Sequence, residues 1–507
     1  MDMFSRFRAV ADATPDAPFL LHPDGTQTSY RAALLRSGAL AAELAARGVR
    51  RGDRVAVQVE KSAEALLTYL ATLRLGAVYL PLNPAYTADE VACFLADAEP
   101  ALFVCRSEDE AAMRDLCARL SVPQLASLDG EGRGSLARGA DLRREDEAPA
   151  PAVVGAADLA AILYTSGTTG RSKGAMLTHG NLASNAATLC ALWRFTAADR
   201  LLHALPIFHT HGLFVATNTV LCAGAAMILL PRFEVGEVLR LIPRASCMMG
   251  VPTFYTRLLA SAGFTREAAA GMRLFVSGSA PLSPETHRAF AQRTGQAILE
   301  RYGMTETNMN TSNPYDGPRK PGSVGLPLAE VALRIADPES GAALPPGEIG
   351  IIEVKGPNVF AGYWRMPEKT REEFRPDGYF ITGDLGYRDR DGYVFISGRA
   401  RDLVISGGFN IYPAEIEALI DAIAGVAESA VIGVAHPDLG EAVVAVVSAS
   451  DATLDEAGVL AALAGRIARF KQPRRVILVP ELPRNAMGKV QKALLREHYA
   501  GLFAAAA

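Results

Sequence analysis

Apolar residues recur along the first part of the chain at two spacings. Over residues 30–48 they return every three or four positions, which is the period of a helix with one buried face. A short apolar run over 55–59 favours a strand, and the same two patterns return as a helix over 63–75 and a strand over 77–80. Alternating strands and helices predict an α/β domain with largely parallel sheets, and the alternation continues beyond residue 200.

Between residues 347 and 404 the pattern changes to short strands and turns. Strands are predicted over 350–354 and 378–381, and Asp391-Gly392 is typical of a hairpin turn. We therefore expect a β-rich subdomain after the α/β part, within a large N-terminal domain of residues 1–400.

The last part of the chain, residues 401–507, predicts a small α+β domain. Helical and strand-like patterns follow each other closely there, with the boundary placed near residue 401. The predicted elements are a helix over 413–422, strands over 430–434 and 442–447, and a basic tail helix starting near Gly488.

Two other segments have a distinct composition. The apolar run over 220–230 is far too short to cross a bilayer and ends at Pro231, so it is interpreted as a buried strand. Residues 128–157 are rich in Gly, Arg, Asp, Glu, Ala and Pro, which favours an exposed linker.

Composition narrows the class of protein. At 507 residues, half of them apolar, the chain is long enough for at least two cores. The net charge is −4 and no basic run stands out, which argues against nucleic acid as a partner. The six cysteines are scattered without metal-ligand spacing, so we expect free thiols. The N-terminal residues show no apolar signal segment, and we expect a cytoplasmic protein without a membrane partner.

Residues 164–174 read Tyr-Thr-Ser-Gly-Thr-Thr-Gly-Arg-Ser-Lys-Gly and directly follow the apolar strand pattern 159–163. Glycines let the backbone approach a ligand, hydroxyls donate hydrogen bonds to anionic oxygens, and Arg171 and Lys173 add positive charge. The spacing does not fit a Walker A loop. The alternative is a flexible surface turn, which this density of donors disfavours. The segment therefore predicts a phosphate-binding loop.

Four further blocks occur at separated points along the chain. They are Ser277-Gly-Ser-Ala-Pro-Leu, Arg301-Tyr-Gly-Met-Thr-Glu, the segment from Tyr379-Phe-Ile-Thr-Gly-Asp through Ser397-Gly-Arg-Ala-Arg-Asp to Ser406-Gly-Gly-Phe-Asn, and Leu482-Pro-Arg-Asn-Ala-Met-Gly-Lys. With the loop at 164–174, their order and spacing resemble the adenylate-forming superfamily of acyl-CoA synthetases, luciferases and nonribosomal adenylation domains. The resemblance covers nearly the whole chain.

This resemblance implies two half-reactions, in which a carboxylate first attacks ATP to form an acyl-adenylate and a thiol then displaces AMP. It implies ATP and CoA as co-substrates, Mg²⁺ as cofactor, and a mobile C-terminal domain that swivels at Arg401. Lys489 would carry the adenylation step, and Thr305 would be a further catalytic residue. Glu306 would be the Mg²⁺ ligand. His209 would lie near the channel for the acyl group and the thiol. The implied nucleotide and CoA contacts are Thr165, Ser166, Gly167, Thr168, Thr169, Gly170, Lys173, Ser279, Ala280, Pro281, Arg301, Tyr302, Gly303, Met304, Asp384, Arg399, Ser406, Gly407 and Gly408.

Two arginines bear on the acyl substrate. Arg301 precedes Tyr302, and Arg257 lies in Val251-Pro-Thr-Phe-Tyr-Thr-Arg. Burying an uncompensated guanidinium costs on the order of several kcal/mol. A second carboxylate on the substrate would offset this cost. The alternative is that the arginines pair with protein acids such as Glu300 and never meet substrate. Wider similarity to the malonate-specific members of the superfamily implies malonate, or methylmalonate, as the substrate, with Ser277 also in the pocket.

Other interpretations remain open at this point. Within the class, the chain could be a medium- or long-chain fatty acyl-CoA ligase; outside it, a non-catalytic module that binds a nucleotide or a carrier protein. The presence of Lys489, Glu306 and Asp384 disfavours the second. His209 and His211, two apart on a possible strand, have no third metal ligand nearby. Candidates for the CoA nucleotide, each equally well explained as a solvated basic face, are Arg466, Arg469, Lys471 and Arg474.

Overall fold

The computed structural model describes residues 2–165, 172–406, 409–437, 439–449, 453–464, 466–485 and 489–503. Its helices are α1 (Met3–Ala13), α2 (Tyr30–Ala46), α3 (Ala63–Arg74), α4 (Ala88–Ala98), α5 (Glu110–Leu120), α6 (Ser135–Asp141), α7 (His179–Leu192), α8 (Asn218–Ala223), α9 (Val235–Leu241), α10 (Pro252–Ala260), α11 (Pro284–Thr294), α12 (Pro367–Glu372), α13 (Pro413–Asp421), α14 (Glu456–Leu463) and α15 (Lys492–His498).

The strands complete the description of the elements. They are β1 (Pro18–Leu21), β2 (Gln27–Ser29), β3 (Arg54–Val57), β4 (Val78–Pro81), β5 (Leu102–Arg106), β6 (Gln124–Leu128), β7 (Leu159–Thr165), β8 (Lys173–Thr178), β9 (Arg200–His203), β10 (Ala226–Leu229), β11 (Cys247–Gly250), β12 (Leu274–Ser277), β13 (Leu299–Met304), β14 (Asn308–Ser312), β15 (Leu326–Pro327), β16 (Ala332–Ala336), β17 (Gly350–Lys355), β18 (Phe380–Arg388), β19 (Val394–Arg399), β20 (Val404–Ser406), β21 (Phe409–Ile411), β22 (Val426–His436), β23 (Gly440–Ala449) and β24 (Arg475–Val479).

The first sheet has the order β6-β5-β3-β4-β7-β8. Its strands are parallel except β8, which returns antiparallel to β7. Neighbouring residues of β3 contribute to different cores, because Val55 and Val57 pack with α3 while Ala56 packs with α4 and α5. A sheet covered by helices on both faces has strands that are apolar throughout. The prediction of an α/β domain with parallel sheets is confirmed.

The second sheet has the order β15-β14-β13-β12-β11-β9-β10-β1-β2. The strands from β1 to β13 along this order are parallel, and antiparallel strands flank them at both edges. The main core fills the space between the two sheets, where the Tyr69 ring lies 5.2 Å from Tyr79 and 6.0 Å from Phe214. Parallel strands direct their carboxyl ends to one edge, which is where such sheets bind ligands.

The rest of the chain forms two smaller sheets. Strands β16 to β19 form an antiparallel sheet, in which Gly392 at φ 87° closes the predicted hairpin between β18 and β19. The last sheet, β21-β20-β23-β22 with β24 beside β23, is covered by α13, α14 and α15. Its cores contain only residues from Val404 onward. This agrees with a β-rich subdomain followed by an α+β unit.

Three local predictions need correction. The 220–230 run is a helix and a strand rather than one strand, because Gly224 adopts φ 67° and ends α8 before β10 begins. Part of the segment 128–157 is not exposed, since α6 buries Leu136 and Ala140 against α2. The tail helix α15 begins at Lys492, four residues after the predicted start.

Two further findings concern the cysteines and the helices. All six cysteines are free thiols. Within the described ranges, no helix is long and apolar enough to cross a membrane.

Candidate active site

The candidate site lies where the ends of β12 and β13 meet β18, β19 and the segment around Lys489. Asp384 on β18 links two of these elements, since its Oδ1 lies 2.8 Å from Nε of Arg399 on β19 and its Oδ2 accepts the hydroxyl of Tyr302 on β13. The Lys489 ammonium lies within electrostatic reach of Asp384, Arg399 and Arg301. Residues far apart in the sequence thus converge on one place.

The Asp384 carboxylate is held rigidly in this position. It is buried, and the Thr382 hydroxyl accepts its backbone N–H at 3.1 Å. Burial and the neighbouring Asp384 raise the pKa of Tyr302 well above its ordinary value, so the phenol stays a hydrogen-bond donor. Each carboxylate oxygen can accept more than one hydrogen bond, so an oriented carboxylate is suited to accept hydrogen bonds from ribose hydroxyls.

Glu306 follows β13 and belongs to a second polar network. The hydroxyl of Tyr363 lies 3.1 Å from Glu306 Oε1 and donates to Glu373 at 2.6 Å. Lys173 Nζ donates to Glu373 Oε1 at 2.9 Å and lies 4.2 Å from the centre of the Tyr363 ring. Burial raises the pKa of Glu306. Glu306 and Lys173 thus place a buried carboxylate and an ammonium close together. A metal ion and phosphate oxygens can bind such groups in place of the present contacts.

The same carboxylate is suited to hold Mg²⁺ together with substrate phosphates. Among the described residues no group of three or more His, Cys, Asp or Glu side chains could hold a metal by itself. Mg²⁺ prefers one or two carboxylates together with water and substrate phosphates rather than an all-protein cage. Glu306 fits that requirement, with the Thr305 hydroxyl next to it in the chain.

The predicted phosphate loop joins the antiparallel strands β7 and β8. Thr165 and Lys173 face each other as the last pair of this hairpin. A Cβ at Gly174 would lie 2.9 Å from the Ile162 side chain, so close strand packing requires a glycine there. The predicted phosphate contacts between them, Ser166, Gly167, Thr168, Thr169 and Gly170, lie outside the described residues.

The segment after β12 passes beside the end of β13. Ser277 is buried and its hydroxyl has no partner among the described residues. Ser279 adopts φ 73°, an uncommon conformation for a residue with a side chain, and its Oγ lies 3.2 Å from Nδ1 of His211. Ala280 and Pro281, the predicted adenine contacts, follow Ser279 in the same segment. Gly303 and Met304 lie at the end of the neighbouring strand β13.

Arg301 is the most unusual charge of the site. It is 2% exposed, and its Nε and Nη2 find no acceptor within the described part of the chain. Burial lowers its pKa to about 9, which leaves the guanidinium charged at neutral pH. Glu300 does not neutralise it by an ion pair, since adjacent strand residues point to opposite faces and Glu300 Oε1 accepts the Leu282 N–H at 3.1 Å. No counter-ion for this cation is therefore found among the described residues.

Arg257 differs from Arg301 in this respect. It lies on the exposed face of α10, while Tyr255 and Leu258 on the same helix are buried. Burial and, to a lesser extent, the charge of Arg257 lower the pKa of Arg484 in the C-terminal part, which places Arg257 near that surface. The burial argument made from the sequence for both arginines thus holds for Arg301 alone.

His209 and His211 are not on a strand, contrary to the sequence interpretation. His209 lies in a loop and His211 begins a π-helix over His211–Thr217. The His211 backbone N–H donates to Nδ1 of His209 at 3.3 Å, so Nε2 carries the proton of the neutral ring. Burial, with Lys489 and Arg301 nearby, lowers the pKa of His209 to about 3. The ring is therefore a neutral hydrogen-bond donor close to both cations.

The buried Lys61 forms hydrogen bonds with the segment of residues 203–212, which contains His203, His209 and His211. Lys61 Nζ contacts Nδ1 of His203 at 2.7 Å and the carbonyls of His203 and Leu205 at 2.7 and 2.9 Å. His203 Nε2 in turn donates to the Gly212 carbonyl at 2.9 Å, so Nδ1 is left to accept from an ammonium. The segment that carries His209 is thus fixed at both ends.

Only some of the residues predicted to contact CoA lie within the described residues. Ser406 is buried at the end of β20, whereas Gly407 and Gly408 lie outside the described residues. The predicted hinge Arg401 lies in the short 3₁₀ helix Ala400–Asp402. Of the basic CoA candidates, Lys471 is bound to Glu415 at 2.7 Å.

Sequence reasoning missed three residues of the site. Tyr363 and Glu373 follow no pattern that marks them, because their role comes from contacts with distant strands. Lys61 had a detectable signal, since it is a single cation directly between a buried strand and a buried helix.

With this geometry established, comparison with known proteins gives a consistent result. The profile of the family AMP-binding enzyme matches residues 7–364, and that of the AMP-binding enzyme C-terminal domain matches residues 415–489. A sulfoacetate–CoA ligase from Cupriavidus necator is 36% identical, over 96% of this chain and 95% of its own length. A malonate–CoA ligase from Arabidopsis thaliana is 34% identical, over 89% of this chain and 78% of its own length.

A solved structure covers the chain even more completely. The crystal structure of ATP-bound MatB from Rhodopseudomonas palustris is 56% identical and has a TM-score of 0.96, covering 99% of this chain and all of its own. Both family profiles match in chain order, and together they span Arg301, Tyr302, Glu306 and Lys489 of the site described above. The chain therefore belongs to the family of AMP-binding enzymes.

Proposed function

We propose that this protein joins malonate to coenzyme A through an acyl-adenylate, with release of AMP and pyrophosphate. The observation that carries the proposal is the 2% exposed Arg301, whose Nε and Nη2 have no partner among the described residues. A buried cation is costly until an anion meets it. A second carboxylate on the substrate meets that need, whereas the tail of a fatty acid does not.

The charge and the hydrogen-bonding groups around Arg301 support a diacid. His209, a neutral donor close to Arg301, complements a carboxylate without adding charge. The malonate–CoA ligase relative is consistent with this choice, and the sulfoacetate–CoA ligase relative also acts on a small acid with a second anionic group. Methylmalonate adds only one methyl group and is a second candidate substrate.

The chain's own residues have defined tasks in this reaction. A malonate oxygen attacks the α-phosphorus of ATP, and the bond to the leaving pyrophosphate breaks. Lys489 stabilises the charge shared by the carboxylate and the α-phosphate, while Asp384 and Arg399 hold the ribose. Mg²⁺, held by Glu306, would neutralise phosphate charge when bound. The CoA thiolate then attacks the acyl carbon and AMP leaves.

The test measures AMP release with CoA and a panel of malonate, methylmalonate, sulfoacetate, succinate, acetate, butyrate and octanoate. Malonate should be used best. Arg301→Leu should lose about 2–5 kcal/mol of transition-state stabilisation with malonate, as expected when one partner of a desolvated pair is removed, and much less with butyrate. Arg257→Leu is the matched control, because this arginine is exposed on α10. It should leave both activities unchanged.

Two results would contradict the proposal. Octanoate used better than malonate would favour a fatty acyl-CoA ligase. Equal losses on malonate and butyrate in Arg301→Leu would mean that Arg301 supports the fold or the nucleotide site through Tyr302.

A further inference from the structure

The residue beside Arg301 is a glycine for a reason that the geometry makes explicit. Strands β12 and β13 are parallel, with Val276 beside Leu299 and Ser277 beside Glu300. The next residue in this register places Gly278 beside Arg301. Neighbours in register present their side chains to the same face, so a side chain at Gly278 and the Arg301 guanidinium would compete for one space.

Distances show how complete this competition is. A Cβ built on Gly278 would lie 2.4 Å from Cζ and Nη1 of Arg301 and 2.7 Å from its Nε. These three atoms are its nearest neighbours, so the conflict is with the guanidinium and not with the backbone. Gly278 has no positive φ that would demand glycine for backbone reasons. The missing side chain therefore makes room for the charged end of Arg301.

We propose that Gly278 is a specificity-determining residue, whose bare Cα forms the slot that holds the Arg301 guanidinium flat with Nε and Nη2 turned to the distal carboxylate of the substrate. The inference rests on the proposed use of a diacid. Gly278 touches no reacting atom and acts through Arg301. Because Arg301 ends in a long flexible chain, an added methyl group at 278 displaces the guanidinium instead of preventing folding.

The test is a double-mutant cycle of Gly278→Ala and Arg301→Leu, measured as AMP release with malonate and with butyrate. Gly278→Ala should lower kcat/KM for malonate by about tenfold to a hundredfold, the loss expected from misplacing a binding group by about 1 Å. The rate with butyrate and KM for ATP should stay within about twofold. In the Arg301→Leu background, which lacks the colliding atoms, Gly278→Ala should have no further effect.

The control is Gly236→Ala on the exposed face of α9, where an added Cβ meets no atom within 4 Å. The proposed role of Gly278 would be contradicted if Gly278→Ala lowered kcat/KM equally for both acids, or if the loss persisted in the Arg301→Leu background. If Gly278→Ala impairs folding and Arg301→Leu restores it, the result supports the proposed role of Gly278. If the folding defect persists in the double mutant, the result contradicts that role. The wild-type preference for malonate over butyrate tests the proposed function separately, since the coupling between 278 and 301 does not depend on which acid is preferred.

Discussion

Glu300 and Arg301 are adjacent on β13 and are both buried, yet they serve different surroundings. The sequence identified Arg301 as a candidate because a guanidinium next to an expected acyl pocket needs an anion. It could not separate Arg301 from Arg257, since burial depends on which face of α10 meets the protein. Gly278 was within a recognised block, but its relation to Arg301 depends on the register between two strands.

Glu300 provides a prediction at the residue scale. Burial raises its pKa from 4.5 to about 8, so the folded protein binds a proton there that the unfolded chain has lost. Such a group contributes stability that is fully present below the unfolded pKa and is lost as pH rises through the folded pKa. The thermal midpoint of the wild type should therefore fall relative to that of Glu300→Gln between about pH 5 and about pH 9.

The control for this prediction is Glu348→Gln, which changes an exposed carboxylate. Its difference from the wild type should not vary over the same pH range. A constant difference for Glu300→Gln would mean that Glu300 is ionised in the folded protein.

At the scale of elements, periodicity predicted α2, α3, β3 and β4 closely because each has a well-defined buried face. It failed over residues 220–230, where the chain is apolar throughout and the end of α8 depends on one glycine. The π-helix over His211–Thr217 was also missed, since no local pattern distinguishes it from a strand or an α-helix. π-helical turns are frequent at functional sites, and this one carries His211.

Lys61 should be essential to this element. Lys61→Met leaves two backbone carbonyls and His203 without their donor, at a cost of about 1–3 kcal/mol for each unpaired group. We expect a lower unfolding midpoint and a higher KM for malonate, with KM for ATP changed less. Lys355→Met is the control, because Lys355 is exposed and donates to a single carbonyl. Wild-type stability and KM in Lys61→Met would show that the His203 segment holds itself in place.

At the scale of the whole molecule, the order of the blocks was enough to predict a large domain and a smaller one that share a site. The sequence could not show how the two parts meet, because Lys489 reaches Asp384 and Arg301 only through tertiary contacts. The domain boundary near residue 401 and the swivel at Arg401 remain predictions.

Lys489→Ala tests whether the two half-reactions use different residues. Adenylate formation, measured by pyrophosphate exchange, should be abolished, because the ammonium near the nucleotide residues is lost. Thioester formation from supplied malonyl-adenylate should be largely retained. Lys492→Ala is a nearby control, since Lys492 forms an ion pair with Glu417 at 2.6 Å. Equal loss of both steps would count against alternation of the domain.

The swivel itself is tested by Arg401→Pro. Proline fixes φ and removes a backbone donor, so rotation at this position should be restricted. Adenylation should persist while CoA transfer falls, and Arg401→Ala should retain both steps because it leaves the backbone free. Unchanged thioester formation in Arg401→Pro would place the hinge elsewhere.

The gathering of Arg301, Arg399 and Lys489 has a consequence for the timing of the reaction. Burial is the main cause that lowers the pKa of Lys489, the like charges of Arg399 and Arg301 add to it, and Asp384 and Glu306 offset these effects only in part. Bringing Lys489 into an empty site therefore works against electrostatic repulsion, whereas ATP and a diacid supply the missing negative charge. If the proposed rotation at Arg401 brings Lys489 into the site, that closure should be favoured once ATP and a diacid are bound, because binding and closure would then be thermodynamically linked.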